Sequence, residues 1–203
     1  MSTASRQTSR AIGRTKGEKT ARDRVFEVAA DLFYKDSIRA IGVDTIVKRA
    51  GVAKISLYRN FESKDDLIVA YLENRNLDYW RHIDRLLAAK GNDPRTQLRT
   101  LISYVTGRTT VPGYRGCPFI NYASEFPDAA HPGHRIVDEN KREMRQRLVA
   151  LTKTIGASHP GPLADALFLL IEGAYASSQT LGGRNGPAAN LLWAAEALID
   201  CSV

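Results

Sequence analysis

The chain has 203 residues, 43% of them hydrophobic and 25% charged, with a formal net charge of +7. That composition is ordinary for a soluble protein, and the length is enough to bury a core in one unit or in two small ones sharing a boundary. The sequence contains no run of ~18 apolar residues, so no membrane span is expected. Its two cysteines, Cys117 and Cys201, are too few and too far apart for a disulfide framework, which points to a reducing, cytoplasmic setting. The charge is unevenly placed. Residues 1–64 carry 14 Lys/Arg against 7 Asp/Glu, whereas residues 65–203 balance 15 against 15. A polyanion partner for the first segment, and a different task for the rest, follow from that asymmetry.

Residues 1–20 are rich in Ser, Thr, Arg and Lys, lack periodicity and have no apolar h-region, so they read as a disordered basic arm and not as a secretory signal. Arg6, Arg10, Arg14, Lys16 and Lys19 suit phosphates or an adjacent minor groove, although a plain floppy terminus accounts for them equally. The piece GRTKGEKT has the wrong glycine spacing for a phosphate-binding loop, and no strand precedes it. An amphipathic helix is predicted over 22–35, with Val25, Phe26, Ala29, Leu32 and Phe33 as its apolar side.

Two short apolar-periodic segments follow, joined through Gly51. Ile46, Val47 and Ala50 stripe the first, Leu57 and Phe61 the second, and Val52 sits at the corner. Two helices crossing steeply over a short glycine-containing turn form a helix-turn-helix, whose second helix enters the DNA major groove. A merely structural helix corner has the same spacing, and the polar content of the second helix separates the two readings. With Leu57 and Phe61 inward, the outward side offers Lys54, Ile55, Ser56, Tyr58, Arg59 and Asn60, and residues 53–61 contain no acid. Lys and Arg neutralise phosphates, Arg forks onto guanine, Asn pairs with adenine and Ile lies against a thymine methyl. Thr45, and Lys64 at the start of the next helix, complete the expected DNA contacts. Ser63 to Asp66 has the form of a capping box whose free amides suit a phosphate.

The run GVAKISLYRNFESKDDL resembles the recognition helix of the tetracycline-repressor (TetR) family, in which Gly-Val-x-Lys-x-x-Leu-Tyr-x-x-Phe-x-x-Lys occupies the same positions. The segment ARDRVFEVAADLFYKDSIRAIGVDTI is similar to the family's first helix and its lead into the second. Ala53, Ile55 and Asn60 stand where Ser, Gly and His are usual, and these departures bear on which bases are read. The resemblance covers residues 21–70. It implies a dimer paired through its last two main helices, a pseudo-palindromic double-stranded DNA operator and a small organic effector that releases it.

Downstream, helical spacing continues from residue 64 to Leu87. Pro94 opens another helix, Pro112 to Pro118 breaks it, FINYASEF forms a short piece, and a long charged helix runs to Ile155. Pro160-Gly161-Pro162 and Gly182 to Gly186 read as separators before the last two helices. Those two carry little charge and many small residues, which calls for cover on more than one side and hence for a second copy. The expected fold is all-α with about nine helices: the arm at 1–20, a three-helix DNA-binding unit at 21–66, and an effector-binding and dimerisation unit at 67–203.

Within that body Tyr71, Trp80, Tyr104, Phe119, Tyr122, Phe168 and Tyr175, with Asn121 and Glu172, are the candidates for an effector pocket; core packing is the competing use of each aromatic. Glu172, if buried, needs a cationic ligand or a neighbouring donor. Asp128, His131 and His134 read as a helix-entry loop and not as metal ligands. No cofactor is implied and no catalytic motif occurs, so a helical enzyme or binding protein with a structural corner is the weaker alternative. A DNA-binding activator or nucleoid protein of the same fold, without small-molecule control, is the other.

Overall fold

The computed structural model describes residues 19–203. The arm expected at 1–20 therefore lies, except for Lys19 and Thr20, outside the described residues. Among the described residues there are nine α-helices and one 3-10 turn, with no strand. The all-α expectation holds.

Helix α1 (Ala21–Lys35) starts at a reciprocal cap: Thr20 Oγ1 accepts from the Asp23 amide while the Asp23 carboxylate accepts from the Thr20 amide, each at 3.0 Å. Its buried side, Val25, Ala29, Leu32 and Phe33, faces α2 (Val43–Ala50) and the short α3 (Lys54–Tyr58). Gly51 ends α2 in the left-handed region (φ 63°, ψ 39°), and the Val52 amide reaches back to the Val47 carbonyl at 3.1 Å. Only glycine takes that conformation without strain, so the corner is fixed by residue type. Leu57 and Phe61 are then driven into the α1–α2 crevice, where burying each contributes roughly 1.5–3 kcal/mol.

Helix α4 (Lys64–Ala88) is capped by Ser63 and is a single rod of 25 residues, about 37 Å long. It packs on α1 at one end and, further along, on α5 (Pro94–Thr109), α6 (Pro118–Glu125) and α7 (Gly133–Thr154). Helix α8 (Pro160–Thr180) lies along α7, and α9 (Leu191–Asp200) packs on α5 and α8. One buried cluster runs through the whole, from Val25 to Ile199.

Two boundaries differ from the sequence expectation. Pro160-Gly161-Pro162 is the first turn of α8, not a separator; the first amides of a helix have no intrahelical acceptor, so proline costs nothing there. The stretch Pro187–Asn190 is a 3-10 turn that precedes α9. At the entry to α7, a Cβ on Gly133 would lie 2.5 Å from Tyr122 Cζ and Oη, so glycine is what lets α7 approach α6.

Candidate nucleic-acid interface and effector cavity

The corner leaves the outer side of α3 in solvent. Leu57 is fully buried, while Ile55 and Tyr58 are 60% and 45% exposed on the opposite side of the same short helix. Lys54, Arg59 and Asn60 are exposed with them, Ser56 is half-buried, and Thr45 is exposed on the first turn of α2. The Lys54 ammonium sits 2.8 Å from the Asp44 carboxylate; that hydrogen bond and its charge raise the Lys54 pKa, and the pair is exposed enough to add little to stability. Asn60 Nδ2 donates to the Ser56 carbonyl at 2.7 Å, so part of its amide is engaged by its own chain, leaving its oxygen and one N–H to present.

Lys64 takes its partners within the domain. Its ammonium donates to the carbonyls of Ile38 (2.7 Å) and Arg39 (3.2 Å), closing the α1–α2 loop, and partial burial lowers its pKa. The side chain expected at a phosphate is used inside the domain, because two loop carbonyls needed a donor.

The body encloses a cavity of about 200 Å³. Arg75, Asp78 and Tyr79 reach it from α4, Tyr104 and Arg108 from α5, and Asn140, Lys141 and Met144 from α7. Glu172 and Tyr175 close it from α8, Pro118 and Phe119 from α6, Tyr34 from α1, and Tyr114 and Cys117 from the loop before α6. Of the nine sequence candidates, Tyr104, Phe119, Glu172 and Tyr175 line it. The other five do not. Tyr71 is buried edge-on to Phe33, its ring centroid 5.7 Å away. Trp80 packs edge-on to Tyr79 with the Arg147 guanidinium 4.4 Å over its ring. Asn121 donates to the Arg115 carbonyl at 2.7 Å, Tyr122 stacks on Phe126 and bonds His131, and Phe168 packs on the core.

The residues missed had a legible signal. Arg75, Asp78 and Tyr79 lie three and four apart on α4, and Asn140, Lys141 and Met144 repeat that spacing on α7, so each set shares a helix face. Glu172 meets the Lys141 ammonium at 2.7 Å, so its partner is a neighbouring donor. The same ammonium lies 3.7 Å from Cys117 Sγ, a basic neighbour invisible in the sequence around the cysteine. His131 and His134 are engaged by Tyr122 and by the Phe126 carbonyl, as suits a helix-entry loop.

Helix α6 joins the two regions. Its first turn borders the cavity, and at its other end the Glu125 carboxylate accepts from Ser37 Oγ (2.8 Å) and the Arg39 amide (2.9 Å). Arg39 in turn donates to the Glu125 carbonyl at 3.2 Å. On the far side of the molecule Leu169 and Trp193 are 69% and 74% exposed, with Gly173 and Ala176 exposed beside Leu169 on α8.

Comparison with known proteins places these features together. The family described as "Bacterial regulatory proteins, tetR family" matches residues 25–71. SCO4454, a TetR-family transcriptional regulator from Streptomyces coelicolor, superposes with a TM-score of 0.81 at 29% identity, covering 90% of this chain and 95% of that one. The tetr-transcriptional regulator candidate sav143 from Streptomyces avermitilis gives 0.78 at 31% identity, covering 91% and 98%. The transcriptional activator FasR of Mycolicibacterium smegmatis is 28% identical over 163 residues, 78% of this chain and 64% of FasR. The transcriptional repressor KstR2 of Rhodococcus jostii is 32% identical over 89 residues, 44% of this chain and 43% of KstR2. The chain thus spans less than two thirds of the length of FasR and less than half that of KstR2.

Proposed function

From the premise that this chain belongs to the TetR family of bacterial regulatory proteins, and so is a transcriptional regulator and not an enzyme, we propose that it is a repressor whose dimer binds a pseudo-palindromic operator and is released by a small organic effector. Residues 21–66 read DNA, and residues 67–203 sense and dimerise. The observation that carries this is the outward side of α3: a helix anchored by Leu57 and Phe61 that leaves Lys54, Ile55, Tyr58 and Arg59 in solvent. In the proposed complex Lys54 exchanges Asp44 for a phosphate, Arg59 reads or neutralises, and Thr45 and Ser56 position the helix on the backbone.

Release works through geometry. One recognition helix touches a few base pairs, and two held about 34–36 Å apart engage successive major grooves. A ligand that favours a different spacing dissociates the operator by linked free energies without touching DNA. The path supporting this runs from the cavity along α6 to Glu125 and the α1–α2 loop. FasR is named an activator and KstR2 a repressor, so both directions of control occur among the relatives of this chain.

The test is the double variant Lys54→Ala/Arg59→Ala in a band-shift or anisotropy assay. Operator binding is expected to vanish while helicity and thermal stability stay unchanged, since neither side chain is buried. Unchanged DNA affinity in a folded double variant would reject the assignment. Footprinting separates the remaining alternative: one or two palindromes near a promoter fit the repressor, and many scattered sites fit a nucleoid protein.

A further inference from the structure

The lining of the cavity specifies a ligand more narrowly than "small organic effector". Its volume of about 200 Å³ lies below the ~300–1,000 Å³ of sites for drug-sized ligands, which restricts the occupant to one or two rings. Five tyrosines and Phe119 supply the walls, and flat rigid walls favour a flat ligand over a branched aliphatic one.

The charges decide its polarity. Lys141 and Glu172 neutralise each other at 2.7 Å. Asp78 and Arg108 are solvent-exposed members of the lining and offset each other in sign. Arg75 remains. Among the described residues it makes no ion pair; its guanidinium donates toward the Tyr71 hydroxyl, while its Nε is shut off from solvent without a hydrogen-bond partner. Its guanidinium stands over the rings of Tyr34 (5.1 Å) and Tyr71 (5.3 Å), so it is held in place before any ligand arrives. The Tyr79 hydroxyl is likewise shielded; it accepts loosely from the Tyr175 hydroxyl and has no acceptor for its own proton. Burial pushes the phenols of Tyr79 and Tyr175 well above the usual range, so both stay protonated and able to donate. A buried donor without an acceptor is costly, and two in one aromatic cavity, one of them cationic, call for an anionic acceptor. An aromatic cage alone would equally suit a cation, but the cations already in the lining oppose one.

We propose that the effector is a small aromatic carboxylate, its ring lying among the tyrosines and its carboxylate accepting from Arg75 and the Tyr79 hydroxyl. This rests on the cavity being the effector site. Bidentate Arg–carboxylate pairing fixes the acid, and the phenol supplies a second, directional bond.

The experiment is thermal denaturation of the full-length protein with a matched panel: benzoate, 4-hydroxybenzoate and 1-naphthoate, against benzamide and benzylamine. At least one carboxylate is expected to raise Tm in a concentration-dependent way, by roughly 5 °C or more at 100 times its Kd, with the amide and amine giving less. Arg75→Met should abolish that shift and Arg75→Lys retain part of it. Tyr79→Phe, which keeps the ring, should weaken binding roughly tenfold and serves if the arginine variants do not fold. The proposal is overturned if no carboxylate shifts Tm, if benzamide or benzylamine shifts it as much, or if Arg75→Met or Tyr79→Phe binds like the parent. Operator release, measured separately, keeps the two readings apart. A neutral or cationic compound that dissociates the operator defeats the carboxylate and leaves effector control standing. A carboxylate that binds without releasing DNA defeats effector control by this ligand and leaves the cavity's preference intact.

Discussion

Lys64 is at the first helical position after a serine cap, where a cation beside free amides is expected to meet a phosphate, yet its ammonium turns inward to the carbonyls of Ile38 and Arg39. Those carbonyls close the loop between α1 and α2 and have no helical partner of their own, so the local demand for a donor outweighs any gain from reaching outward. We therefore propose a structural role for Lys64, which separates from DNA binding by measurement. Lys64→Met is expected to cost about 1 kcal/mol, or roughly 2–4 °C in Tm, for the lost hydrogen bonds. The salt slope of operator binding should stay as in the parent. Lys54→Ala should do the reverse, holding Tm and reducing the slope by about one. A Lys64 variant with parental Tm and a shallower slope would return Lys64 to the phosphate contacts.

Helix α6 has eight residues, yet its two ends serve two regions: Phe119 in the cavity wall and Glu125 on the loop before α2. A helix that short moves as a rigid piece, so a ligand displacing its first turn also moves Glu125, and with it Ser37 and Arg39. Glu125→Ala should leave the ligand-induced Tm shift within twofold in affinity while lowering the coupling between ligand and operator by about tenfold, inside the usual 1–3 kcal/mol of such linkages. Parental coupling in that variant would exclude α6 as the path. The same helix marks where the sequence stops being informative. The helices, the Gly51 corner and the anchors Leu57 and Phe61 were legible because a 3.6-residue period and a left-handed glycine are local properties. The cavity was only partly so. Tyr79 and Trp80 are neighbours in sequence, but about 100° of rotation on α4 sends one into the cavity and the other under Arg147. Which of the two faces the void depends on how α7 crosses α4, and no stretch of either helix encodes that alone. The pairing of Lys141 with both Glu172 and Cys117 spans three segments and was invisible for the same reason.

At the scale of the whole molecule, the outer side of α8 and α9 is the feature that one chain leaves unfinished. Leu169 and Trp193 are largely exposed, and the small residues between them, Gly173 and Ala176, allow another helix to approach closely. In the proposed dimer, pairing two copies through this face would make binding of the second half-site intramolecular, at an effective concentration near the millimolar range, so avidity would exceed single-site affinity by ~10²–10⁴. A buried unpaired carboxylate is the sharpest way to break such a face without disturbing a chain in which the position is already solvated. Trp193→Glu, or Leu169→Glu, should therefore yield a folded monomer by sedimentation, with parental helicity and an operator affinity lower by that factor. Weak, strongly salt-dependent binding to any duplex should persist, because the basic N-terminal unit is untouched. If either variant is monomeric and still binds the full palindrome as tightly as the parent, recognition does not depend on two helices held at a fixed spacing, and the release mechanism built on that spacing fails with it.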